Sequence, residues 1–139
     1  MKPRISVLTL GVKDLEKAVA FYRDGLGWST EGIVGQDIEN GAVAFFDLQD
    51  GLKLALWPQE SLAKDTNLDN SSLNNPTAFS LGHNVNSKTE VDEAFDKALQ
   101  AGATAVTAPE DKAWGGYGGY FRDPDGHLWE VIWNPALQV

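Results

Sequence analysis

A stretch of 11 residues occurs twice in this chain, and a duplication limits the fold more than any other feature. "GAVAFFDLQDG" at residues 41–51 and "GYGGYFRDPDG" at 116–126 align at a constant offset of 75. Gly41 meets Gly116, Phe46 meets Phe121, Asp50 meets Asp125 and Gly51 meets Gly126, with Phe45 against Tyr120. The residues after each copy agree in kind, since "LKLALWP" and "HLWEVIW" both read as apolar strands. Upstream, "SVLTLGV" at 6–12 and "FSLGHNV" at 79–85 align at an offset of 73, and each leads into a helical pattern. Self-similarity at fixed spacing signals a repeated supersecondary unit. The chain must therefore build two like modules.

Each module reads strand–helix–strand–strand–strand. In the first, residues 4–12 are rich in Ile, Val and Leu and alternate as a strand does. Asp14 is placed to cap a helix over 15–25, where Leu15, Ala18, Val19, Tyr22 and Leu26 form one apolar face and Gly25 and Gly27 stop it. Strands are expected at about 30–35, 41–48 and 52–57. In the second module a strand is expected over 78–85, and Ser87-Lys88-Thr89-Glu90 has the form of a capping box. Val91, Ala94, Phe95, Ala98 and Leu99 give the buried helix face and Gly102 ends it. Strands are expected at about 104–108, 116–122 and 127–133. The organisation is thus one domain over 1–139, with module one at 4–57, a polar Asn-rich linker at 58–76 and module two at 77–134. The linker is expected to hold a short helix near 59–65.

Composition narrows the partners. With a net charge of −9 and a pI near 4.5, the chain repels nucleic acid and anionic membrane surfaces but not a neutral or cationic small molecule. There is no cysteine, which excludes disulfides, thiolate catalysis and zinc–cysteine sites. The opening "MKPRISVLTLGV" is too short in its apolar part for a signal peptide or membrane span, so a cytoplasmic protein is expected.

One charge stands out. In "DPDGHLWEVIW", residues 123–133, Glu130 sits alone in an apolar strand, and burying a carboxylate is costly unless something pairs with it. Alternation puts Leu128, Glu130 and Ile132 on one face and His127, Trp129, Val131 and Trp133 on the other. Trp129 and Trp133 are then core residues. In 78–85, Phe79, Leu81, His83 and Val85 suit packing against a helix, while Ala78, Ser80, Gly82 and Asn84 form a small, polar face. Lys53, Ala55 and Trp57 share a face, which makes Trp57 a candidate for stacking on a ligand, with closure of the core as the alternative. In "WGGYGGYF", residues 114–121, glycines leave room beside aromatics, and Trp114, Tyr117 and Tyr120 are candidates for a pocket rim. Parity turns His83 and His127 away from Glu130. His83 stays a weak candidate because a bulge would turn it inward. The Asp-Pro-Asp-Gly segment is turn chemistry.

The paired βαβββ modules, "LGVKDLEKAVAFYRDGLGW" near the start and "DPDGHLWEV" near the end resemble the vicinal oxygen chelate superfamily, which holds glyoxalase I, the bleomycin-resistance proteins and the extradiol dioxygenases. The resemblance covers about residues 4–134. It implies an α+β fold in which the two modules form a cupped eight-stranded mixed sheet, with helices outside and the ligand in the cup. It also implies a homodimer. In metal-using members four side chains converge there, one from the first and one from the last strand of each module. The last-strand position after "DPDG" matches Glu130, the repeat carries it to Ala55, and the first-strand positions fall at Val7 and Ser80. A divalent ion needs three or four N, O or S donors. No metal and no other cofactor is therefore expected, a divalent metal being the less favoured alternative.

Three functional classes are compatible with these residues. The first is a small-molecule binder whose ligand contacts Trp57, Asn84, Trp114, Tyr117, Tyr120 and His83. The second is a glyoxalase-type lyase, isomerase or epimerase with Glu130 as its base or as a metal ligand. In the third, Glu130 is bonded to a neighbouring side chain and does no chemistry.

Overall fold

The computed structural model describes residues 1–74 and 78–139. The chain divides into two compact units, 1–74 and 75–139. The expected boundary between linker and second module, at 76/77, lies outside the described residues.

In the first unit β1 (Val7–Val12) leads into α1 (Leu15–Val19), which continues as one π-helical turn over Ala20–Gly25. The Asp14 side chain accepts from the Lys17 N–H at 3.1 Å, as its capping position requires. Strands β2 (Thr30–Val34), β3 (Val43–Asp47) and β4 (Lys53–Pro58) complete a mixed sheet of order β1-β4-β3-β2. β1 runs parallel to β4, and the other pairs are antiparallel. One face of this sheet carries Leu10, Val12, Ala44, Phe46, Leu54 and Leu56, all buried against Ala18, Val19 and Tyr22 of the helix. Tyr22, Trp28 and Phe46 meet ring to ring, with centroids 5.7–6.4 Å apart. Each large apolar side chain buried in this way contributes roughly 1.5–3 kcal/mol. The linker is not a passive tether: its expected helix forms as α2 (Gln59–Thr66) and packs on β1 and β4 of the same unit.

The second unit repeats the plan with β5 (Leu81–Val85), α3 (Lys88–Ala101), β6 (Thr104–Asp111), β7 (Tyr117–Arg122) and β8 (Leu128–Trp133), in the order β5-β8-β7-β6. Again the first strand lies parallel to the last. Ser87 accepts from the Glu90 N–H at 3.1 Å, and the Glu90 carboxylate accepts at 2.7 Å from the Asn86 N–H, one residue earlier than a standard capping box. Val91, Phe95 and Ala98 of α3 are buried against Leu81, Phe121, Trp129 and Val131. The Phe121 and Trp129 rings are stacked at 6°. Two expectations change here. β5 begins at Leu81 rather than near 78, and Phe79, expected to pack on a helix, is 50% exposed. Trp133 is half-buried rather than core, because it lies at the end of its strand, where Lys88 Nζ sits 6.0 Å over its ring.

Candidate functional site

α1 covers one face of the first sheet and α3 one face of the second, and Glu130, Tyr120 and Asn84 lie on the face opposite α3. In the second unit the register pairs Glu130 with Tyr120 on β7 and with Gly82 on β5. Directly paired residues project from the same side of a sheet. Glu130 is half-buried there, and the Tyr120 hydroxyl donates to its Oε1 at 3.0 Å. That bond favours the neutral phenol, so with partial desolvation it raises the Tyr120 pKa above its ordinary value. Asn84 shares this face through its pairing with Ile132 and is half-buried. Arg122 shares it too, but its Nη1 donates to the Gly126 carbonyl at 2.7 Å and is tied to the turn. That turn is held by Asp123, 3% exposed, which accepts from the N–H groups of Asp125 and His127.

The remaining candidates separate. Tyr117 pairs with Trp133, on the face opposite Glu130, so it does not stand beside Tyr120. Its hydroxyl donates to Asp92 of α3 at 2.6 Å, which raises its pKa, and Lys88 Nζ lies 5.4 Å over its ring. Trp114 lies in the β6–β7 turn with 59% exposure, its ring against Gly116, where an added Cβ would come within 2.2 Å of the indole. His83 pairs with Val131 and so turns away from Glu130, as parity requires. The residue is exposed, yet the protein around its ring desolvates it enough to lower its pKa. Gly118 does not open space for a ligand. An added Cβ would meet Ile132 Cδ1 at 2.4 Å and the Val131 carbonyl at 2.5 Å, so the glycine makes room for Ile132.

In the first unit the face opposite α1 holds two concavities that share Phe45 as a wall. One, of about 260 Å³, is lined mainly by Val7, Val43, Ala55 and Trp57 and closed by Asn40 and Gly41. Trp57 donates its indole N–H to the Asn40 carbonyl at 3.0 Å, and the half-buried indole forms part of the concavity wall. The other, of about 270 Å³, is lined by Val34 and Phe45 together with Thr30, Glu31, Asp47 and Lys53, the last two ion-paired. Nothing in the sequence pattern announces this second concavity. It adjoins a β-bulge between Thr30 and Ile33, where the Thr30 hydroxyl donates to the Phe45 carbonyl at 2.6 Å, and side-chain alternation does not encode a bulge.

The family's metal positions hold Val7, Ala55, Ser80 and Glu130. Two are apolar and one is a serine hydroxyl, so the residues present do not fit a divalent ion. Among the described residues no three His, Asp or Glu side chains are grouped closely enough to hold one elsewhere.

Residues 4–131 match the model of the Glyoxalase/Bleomycin resistance protein/Dioxygenase superfamily, and the chain belongs to that superfamily. The structure of a glyoxalase-related enzyme from Fulvimarina pelagi is similar, with a TM-score of 0.84 and 32% identity over 99% of this chain and 92% of that one. A metallothiol transferase from Lysinibacillus sphaericus is 29% identical over 126 residues, 91% of this chain and 79% of that protein. A Mycobacterium bovis protein is 54% identical over 51 residues, and that stretch is 33% of its length. The chain thus spans about a third of the length of that curated relative. Among the described residues no helix is long and apolar enough to cross a membrane.

Proposed function

We propose that this superfamily member binds a small, neutral or cationic, partly aromatic molecule on the sheet faces opposite α1 and α3, and that it does so without the family metal. The observation that carries this reading is the Tyr120–Glu130 hydrogen bond of 3.0 Å on the sheet face opposite α3. A carboxylate held in that way, next to open space, is placed to meet a ligand. Trp57, with its N–H engaged and its indole lining a concavity, supplies a stacking surface in the first unit. Asn84 and Tyr120 are the polar contacts on the Glu130 face. The negative net charge favours such a ligand over a polyanion. We take the working form to be a cytoplasmic homodimer, in line with the resemblance.

A second reading is supported by the same bond. With Oε1 fixed by the phenol, Oε2 is placed to take a proton from a ligand carbon or heteroatom, as a glyoxalase-type lyase, isomerase or epimerase requires. A screen of uncharged, cationic and polyanionic compounds by thermal shift and tryptophan fluorescence tests the binding reading, with turnover measured on any hit. Stabilisation by neutral or cationic aromatics, weakened by Trp57→Ala or Glu130→Gln, is the expected result. Preference for polyanions, or indifference to both substitutions, overturns it. Sedimentation at several concentrations reads the dimer directly.

A further inference from the structure

The half of the Glu130 carboxylate that Tyr120 leaves alone has a glycine as its neighbour on β5. Gly82 stands beside Glu130 on β5, and an added Cβ there would find Asn84 Oδ1, at 4.0 Å, as its nearest neighbour among the described residues. Among the described residues, therefore, nothing fills the space above Gly82, which leaves a recess over that strand. Along β8, Leu128 and Ile132 flank Glu130 on this face and offer no polar atom. Tyr120 has one proton, and it goes to Oε1. What remains beside the recess is acceptor-rich: Glu130 Oε2, the Tyr120 oxygen lone pairs and the Asn84 side-chain carbonyl, with the Asn84 amide N–H groups as donors next to them.

The cations nearby are engaged elsewhere. Arg122 is held by the Gly126 carbonyl. Lys112 Nζ lies 6.0 Å over the Tyr120 ring and pairs with Glu110 at 3.3 Å. Among the described residues none makes an ion pair with Glu130. A half-buried carboxylate with an unfilled lone-pair side and no protein counter-ion is one half of a charge-assisted hydrogen bond.

We infer that the recess over Gly82 takes a protonated nitrogen, an alkylammonium or amidinium group on an apolar body, with Glu130 Oε2 as its counter-ion. This rests on the small-molecule reading above and narrows it to cations. A ligand carbonyl would find the Tyr120 proton already spent, and a ligand carboxylate would face Glu130 directly. A nitrogen carrying two or three N–H groups meets every acceptor in the recess, and its apolar body lies along the half-buried Leu128.

Three probes of one shape and different charge make the test: benzamidine, benzamide and benzoate, titrated calorimetrically into the full chain. Benzamidine should bind about ten- to a hundred-fold more tightly than benzamide, the range for a hydrogen bond to a charged group, and benzoate should not bind. Glu130→Gln should erase that preference. Gly82→Val should block the recess while circular dichroism and the thermal midpoint stay near wild type, and Gly82→Ala serves if the valine is not tolerated. Equal affinity for benzamide and benzamidine, a preference that survives Glu130→Gln, or benzamidine binding untouched by Gly82→Val each overturns the assignment. If none of the three binds while other aromatics still stabilise the chain, the cation assignment alone fails. If no compound of any charge stabilises it, the small-molecule reading fails first.

Discussion

Tyr120 commits its one hydroxyl hydrogen to a hydrogen bond with Glu130, and that donation decides what the face can recognise. The bond also has a stability signature. The phenol pKa is raised first by its hydrogen bond to Glu130, then by desolvation and by the carboxylate charge. A raised folded-state pKa means the folded chain holds its proton more tightly than the unfolded one. The contribution is then complete below the ordinary tyrosine value near 10 and is lost as pH rises through the higher folded value. Tyr120→Phe should cost about 0.5–1.5 kcal/mol at pH 7, the usual net worth of one hydrogen bond. Above the folded pKa the wild type should fall to meet the variant. Because the Tyr117–Asp92 pair has a pKa raised in the same direction, only the difference between wild type and Tyr120→Phe isolates Tyr120. Urea denaturation of both proteins at pH 7 and near pH 11 measures it, and a gap that stays constant or widens with pH contradicts the account.

Among the elements, the two modules share a register that the repeat already implies. β4 and β8 correspond at the offset of 75, so Leu54 matches Trp129. β1 places Leu8 beside Leu54 and β5 places Leu81 beside Trp129, a separation of 73 in the first strands. Both offsets are legible because alternation and apolar content repeat along those strands, and the face of Glu130 comes from the same alternation. The π turn over Ala20–Gly25 is not legible, since one extra residue in a turn keeps the same face apolar. The separation of Tyr117 and Trp114 from Glu130 is hidden for a different reason. Aromatic–glycine composition names no face, and in this stretch the glycines serve Ile132 and Trp114. Caps are readable because they depend on one side chain at one position. Ser87→Ala removes the oxygen that accepts from the Glu90 N–H, so it should cost about 1 kcal/mol in chemical denaturation. Ser87→Asp should retain most of that, because Asp caps as well as Ser and adds charge at the positive end of the helix. An alanine variant indistinguishable from wild type would show that the Glu90 contact with Asn86 carries the cap alone.

At the scale of the whole molecule, a chain of net charge −9 collects divalent cations loosely, so metal content alone is a poor guide to a site. What separates a built site from a counter-ion is the number of converging donors. Here the superfamily's positions supply one carboxylate, one hydroxyl and two aliphatic side chains in Glu130, Ser80, Val7 and Ala55. Coordination by a single carboxylate leaves most of the ion's shell to water and gives little affinity. A real site would be visible in stability. A metal present at a hundred times its Kd stabilises the folded state by about 2.7 kcal/mol, and for a chain of this size that raises Tm by roughly 5–10 °C. Chelator-treated protein should instead shift by no more than about 1–2 °C when zinc, nickel, manganese or iron(II) is added at an excess that saturates an ordinary metalloenzyme. Elemental analysis after gel filtration should find well under one equivalent of any of them. A stoichiometric metal that survives gel filtration, stabilises the chain by several degrees and disappears in Glu130→Ala would restore the metalloenzyme reading, and with it Glu130 as a ligand.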